Sequence, residues 1–163
     1  MQTAIPFLLN MMTLIGILLI VSMGLAIIFG LMNVINLAHG EFVTIGAFTL
    51  VAVQAAGGSF WLALLVGPLV GYCIGLMVER MLIARVYGNP LHAILVTWGL
   101  SLSIQQLLVL TFGAAPQRVT GPFEGAIDLF GATYPAYRLF LITFVLAVFT
   151  ATIVVFKTTS VGL

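Results

Sequence analysis

The chain has 163 residues, 63% of them hydrophobic and only 6% charged, with a formal net charge of +1. A soluble domain carries about 25% charged residues, so the composition excludes an ordinary soluble enzyme, and the near-neutral balance offers neither a nucleic-acid surface nor an acidic tail. The single cysteine, Cys73, excludes an internal disulfide and a cysteine-based metal cluster; in its apolar run it reads as a small packing residue.

A membrane crossing needs roughly 20 apolar residues, and five hydrophobic segments can be drawn. The fold class that follows is all-α: a polytopic transmembrane helical bundle, expected to form one domain over residues 1–163, with a break in the helices near residues 32–42. The first segment runs from Pro6 to Leu31, with Pro6 suited to a helix start because its missing N–H costs nothing there. No basic region precedes it and it is longer than the apolar core of a signal peptide, so the helix is expected to stay in the mature protein.

Next comes Asn33-Val34-Ile35-Asn36-Leu37-Ala38-His39-Gly40-Glu41. From Met1 to Val78 the only charged side chain is Glu41, with His39 beside it and Asn33 and Asn36 upstream. A carboxylate in such apolar surroundings faces a bundle interior or a watery cavity and has a partner. His39 is one candidate, although side chains two apart do not face each other on a regular helix. If the nonapeptide is helical, Asn33, Asn36 and Gly40 lie near one face; if it is a break, the freed backbone groups must be satisfied by protein or water. In either geometry this is a polar site within a membrane domain.

The second segment, Phe42 to Ala56, has 15 residues, about 22 Å of helix against a hydrocarbon core of about 30 Å. It spans only if the preceding stretch extends it; otherwise it is a half-helix. Gly57-Gly58-Ser59 then reads as a tight turn. The third segment, Trp61 to Val78, opens on an interfacial Trp61 and carries Gly67, Gly71 and Gly75 at four-residue spacing, a small-residue face that another helix can approach.

Glu79, Arg80 and Arg85 follow, and Asn89-Pro90 marks a turn before the fourth segment, Leu91 to Phe112. Its Thr97, Ser101 and Gln105 fall at i, i+4 and i+8 on one face. Such a stripe either hydrogen-bonds to a neighbouring helix, the favoured reading, or lines a passage. Gly113 to Tyr137 reads as a long polar-leaning loop, Arg138 to Phe156 as the fifth segment, and Lys157 follows it.

Basic residues in short loops mark the cytoplasmic side. Arg80 and Arg85 place the end of the third segment there, and Lys157 the end of the fifth; the 57–59 turn and the 113–137 loop are then external. The side of the N-terminus stays open. The end of the chain after Lys157-Thr158-Thr159-Ser160-Val161-Gly162-Leu163 is expected to be the end of an N-terminal half, with further helices to follow.

The block Gly30-Leu31-Met32-Asn33-Val34-Ile35-Asn36-Leu37-Ala38-His39-Gly40-Glu41, with Ile45-Gly46-Ala47, Glu79-Arg80, Asn89-Pro90-Leu91, Thr97-Trp98-Gly99-Leu100-Ser101, Gln105-Gln106, Phe112-Gly113, Tyr137-Arg138-Leu139-Phe140 and Ser160-Val161-Gly162-Leu163, resembles the permease subunits of ABC importers for branched-chain amino acids, urea and short amides. The Thr-Trp-Gly and Gln-Gln pairs resemble the urea-type members more. The resemblance implies a permease of the bacterial or archaeal cytoplasmic (inner) membrane, surrounded by membrane lipid. Its implied partners are a second homologous permease subunit, two ATPase subunits and a periplasmic or extracellular solute-binding protein, with no nucleic acid and no cofactor. Members of the family are nearly twice this length, and their C-terminal half carries the helix that docks on the ATPase.

On this reading Asn33, Asn36, His39, Glu41, Thr97, Ser101 and Gln105 either contact the solute or pin the helices, pinning being favoured, and Gly67, Gly71 and Gly75 pack against a helix. The competing function is a passive channel or facilitator for a small polar solute, which needs no ATPase. An intramembrane enzyme using His39 and Glu41 is disfavoured: zinc chemistry usually takes three protein ligands, and no spacing in the chain matches a metal motif.

Overall fold

The structure is a computed structural model that describes residues 4–32, 35–86, 88–123, 125–129 and 132–158. Five helices carry most of it: α1 (Ala4–Met32), α2 (His39–Ala55), α3 (Phe60–Met81), α4 (Pro90–Phe112) and α5 (Ala136–Thr158). All but α2 are long and apolar enough to cross a membrane. The large apolar side chains face outward, Leu65 at 70% and Leu110 at 75% exposure, while Thr13, Asn36, Glu41, Thr97 and Ser101 are buried. That arrangement is stable only in hydrocarbon, where exposed leucine costs nothing and polar groups gather inside. The chain is a multi-pass membrane protein with an all-α bundle fold, as its composition predicts.

α3 and α4 start where side chains take over the first free amides. Ser59 accepts from the Leu62 N–H at 3.3 Å ahead of α3, and Asn89 accepts from the His92 N–H at 3.3 Å ahead of α4, with Pro90 in the first position. A short 3₁₀ turn, Ile83–Arg85, links α3 to α4. Pro68 lies inside α3, as membrane helices tolerate.

The chain divides into two compact units, Leu25–Thr120 and Met1–Gly24 with Gly121–Leu163. In the first, α2 and α3 form an antiparallel hairpin. Its turn needs glycine: a Cβ on Gly58 would lie 2.6 Å from the Val53 side chain and 2.9 Å from the Val53 carbonyl oxygen. Phe48 on α2 meets Phe112 at the end of α4, with ring centroids 4.8 Å apart. Beyond α4, the Gln54 amide donates to the Thr120 carbonyl at 2.8 Å and accepts from the Thr120 N–H at 2.9 Å. Cys73, expected as a packing residue, is instead exposed on α3.

In the second unit α1 lies beside α5. Asn10 meets Arg138 at the start of α5 and Thr13 meets Tyr134 just before it, and Gly16 comes against Val145 about two turns further along both helices; a Cβ on Gly16 would sit 3.3 Å from a Val145 methyl. The expected loop holds an antiparallel hairpin, β1 (Ala126–Leu129) with β2 (Ala132–Pro135), in which Ile127 faces Tyr134. Four-residue strands give too short an alternation to stand out in a loop of mixed composition.

Candidate functional site

The site begins where α1 has ended and α2 has not. Residues 35–38 are not helical, so the open alternative between helix and break is decided for the break; Asn33 lies outside the described residues. A break within a membrane domain frees backbone amides, and each unsatisfied one costs several kcal/mol in hydrocarbon. Asn36 meets this cost locally. Its side-chain oxygen accepts from the Ala38 N–H at 2.9 Å and its carbonyl accepts from the His39 N–H at 3.2 Å, a side-chain-closed turn of the kind asparagine favours. The Glu41 N–H donates to the Ala38 carbonyl at 3.1 Å and starts α2 three residues before the apolar segment begins.

The remaining contacts come from α4. Thr97, fully buried, donates its hydroxyl to the Ala93 carbonyl at 2.8 Å and accepts from the Leu37 N–H at 3.2 Å. One turn on, Ser101 donates to Glu41 Oε1 at 2.7 Å. A further turn on, Gln105 donates to the same oxygen at 2.6 Å and to Ser101 Oγ at 3.2 Å. The i, i+4, i+8 stripe is therefore one continuous seam, and it runs along the break and the first turn of α2. The Glu41 carboxylate is held by these two side chains, 60 and 64 residues on. His39 is half-buried in the first turn of α2.

Depth follows from the same bonds. Ser101 is twelfth of the 23 residues of α4, so a helix that crosses the bilayer holds Glu41 near its own mid-length. Non-helical backbone and a carboxylate at that depth are tolerated only when buried in protein or facing a water-filled cavity. Glu41 is 7% exposed. The seam contains one acid and neither lysine nor arginine; its other members are hydroxyls and amides, which both donate and accept.

A cavity of about 720 Å³ between α2, α3 and α4 is of opposite character. Its lining is apolar except for Thr49 and Ser103, whose hydroxyls are turned to the Ile45 and Gly99 carbonyls of their own helices, each at 2.8 Å. A polar solute finds no partner there. Among the described residues the glycine face of α3 has little against it: a Cβ at Gly67 or Gly71 would meet nothing within 4 Å, and at Gly75 only the ring of Phe42, at 3.6 Å.

The sequence reading missed a second polar group, in the other unit. Asn10 and Thr13 on α1 meet Tyr134, whose hydroxyl donates to Asn10 Oδ1 at 3.4 Å and lies 3.2 Å from the Thr13 hydroxyl. Arg138 donates to the same Asn10 oxygen. Two polar residues three apart in the otherwise apolar first half of α1 were the available signal. Among the described residues no group of three or more His, Cys, Asp or Glu is placed to hold a metal ion.

Residues 7–163 match the family model described as the branched-chain amino acid transport system / permease component. Among curated proteins, and among solved structures, none matches the chain.

Proposed function

Given that the chain belongs to the branched-chain amino acid transport permease family, we propose that it forms part of the solute path of an ABC importer, with the Asn36–Glu41 break and the Thr97–Ser101–Gln105 seam as its mid-membrane polar element. The family is one of transport components rather than enzymes. The proposed setting is the bacterial or archaeal cytoplasmic membrane, with a second homologous permease subunit, two ATPase subunits and an external solute-binding protein as partners. The open Gly67–Gly71–Gly75 face is where we place the second permease subunit, since small residues let a partner backbone approach closely.

The observation that carries this reading is a helix broken at mid-membrane depth, its freed amides held by Asn36 and Thr97. Solute sites in membrane transporters are commonly built at such discontinuities. The bonds that close the break are between neutral donors and acceptors, with Glu41 alone carrying charge, so they can exchange with a passing polar solute without a deep ionic trap. The same chemistry favours urea or a short amide over a branched-chain zwitterion. An amide's N–H groups and carbonyl find complements in Glu41, Ser101 and Gln105, whereas a carboxylate finds no lysine or arginine in the seam. His39 pins the start of α2 and is within reach of the same path.

The test is uptake of labelled urea, acetamide and leucine into vesicles holding the complete transporter. Expected is ATP-dependent uptake, urea and acetamide competing with each other and leucine competing weakly. Uptake that persists without the ATPase subunits would replace the importer with a passive facilitator. Uptake of leucine alone would leave the importer standing and overturn the amide assignment.

A further inference from the structure

Arg138 is the one basic side chain placed within a described apolar span away from its cytoplasmic end, and its surroundings are built to hold it still. It lies in the first turn of α5, a turn with no acidic residue, where a cation is opposed by the helix dipole. Its Nε donates to the Tyr137 hydroxyl at 3.1 Å, and its Nη1 donates to Asn10 Oδ1 across on α1. The guanidinium carbon lies 6.0 Å from the centroid of the Tyr134 ring and 5.9 Å from that of Tyr137, within the range of cation–π attraction. Tyr134 is itself 2% exposed and tied to Asn10 and Thr13, so the platform under the guanidinium is fixed.

What the cluster lacks is an anion. Asn10, Thr13, Tyr134 and Tyr137 are all neutral, and among the described residues no carboxylate pairs with Arg138. A guanidinium has five N–H donors in a planar fork. Two are used on Tyr137 and Asn10, which leaves three, including both on Nη2. A fork held flat, with parallel donors left over, matches the two oxygens of a carboxylate or phosphate.

We propose that Arg138 is the centre of an oxyanion-binding site at the N-terminal end of α5, with Asn10, Tyr134 and Tyr137 as its positioning residues. The ligand is a carboxylate or phosphate oxygen pair, from one of two sources: the headgroup of a phospholipid in the adjoining leaflet or the carboxylate of a free solute. Tyrosines flanking a cation at the end of a spanning helix suit the headgroup level of the bilayer. The site is independent of the Glu41 seam and of which solute the seam conducts.

The test uses the full chain in uncharged maltoside micelles, as wild type, Arg138→Gln and Arg138→Lys. Native mass spectrometry counts retained phosphatidylglycerol against monogalactosyl diacylglycerol, which has no phosphate, and a thermal-unfolding assay compares leucine with leucinamide. Preferential retention of phosphatidylglycerol by wild type, weakened about tenfold in Arg138→Gln as for one lost charge-assisted contact, identifies the lipid phosphate. Stabilisation of wild type by leucine but not leucinamide identifies the solute carboxylate. Equal behaviour of wild type and Arg138→Gln toward all four ligands overturns the site. Should Arg138→Gln fail to accumulate, Arg138→Lys decides: it keeps the charge but not the fork, so retention must fall, and unchanged retention overturns the proposal.

Discussion

Replacing Glu41 separates pinning from charge. The carboxylate takes two hydrogen bonds, from Ser101 at 2.7 Å and from Gln105 at 2.6 Å. Ser101 is 7% exposed, whereas Gln105 is exposed and can turn elsewhere when its partner is removed. Glu41→Ala then leaves chiefly the Ser101 hydroxyl without its acceptor, at about 1–3 kcal/mol, and removes one packed methylene at about 0.8 kcal/mol. The expected loss is about 2–4 kcal/mol. Glu41→Gln keeps an oxygen at the same position and the same volume. It gives up the charge assistance, which roughly doubles a hydrogen bond's strength, for a loss of about 1 kcal/mol.

The assay is unfolding of the purified chain in micelles together with solute uptake by the complete transporter, normalised to the amount in the membrane. Glu41→Gln should retain most of the uptake and Glu41→Ala should lose it along with its membrane abundance. A Gln variant that accumulates normally and moves no solute would refute pinning and assign the work to the negative charge.

Thr97→Val keeps the shape and removes the acceptor of the Leu37 amide; it should cost about 1–3 kcal/mol and speed hydrogen exchange at Leu37, with Thr97→Ser restoring both. Gly71→Leu should leave the isolated chain within about 0.5 kcal/mol of wild type, because nothing lies within 4 Å of the added Cβ, while blocking co-purification with the second permease subunit. Ala63→Leu adds bulk to a side chain that is 6% exposed, so it should instead destabilise the isolated chain by about 1–3 kcal/mol, read by the same unfolding assay. A cysteine at Thr120 or Ala126, with Cys73 replaced, should react with an impermeant thiol reagent from outside intact cells; labelling only after lysis would invert the orientation.

The sequence shows the helices because an apolar run of about 20 residues in this composition has one physical use, and each segment reappears with ends shifted by at most three residues. The stripe of Thr97, Ser101 and Gln105 is legible because 3.6-residue periodicity puts the three on one face before any partner is known. What that face meets is not legible, because the contact with Glu41 closes over 60 residues. Packing glycines show the same limit. Spacing singles out Gly67, Gly71 and Gly75, yet the close approach within this chain is at Gly16 against Val145, where a lone glycine carries no periodic signal. Arg138 reads as the polar edge of a segment until Asn10, far away in the chain, is placed against it.

The side-by-side course of α1 and α5 sets a direction within their own unit. Asn10 meets Arg138 and Gly16 meets Val145, so the two helices advance in the same direction, and where both cross a bilayer they enter it from the same face. Helices related in this way cannot be joined by a short turn, because the end of one and the start of the other lie at opposite ends of the pair. Asn10 therefore meets its partner only once the chain has run 128 residues further, and the polar tie between α1 and α5 is among the last contacts that synthesis of this stretch makes available.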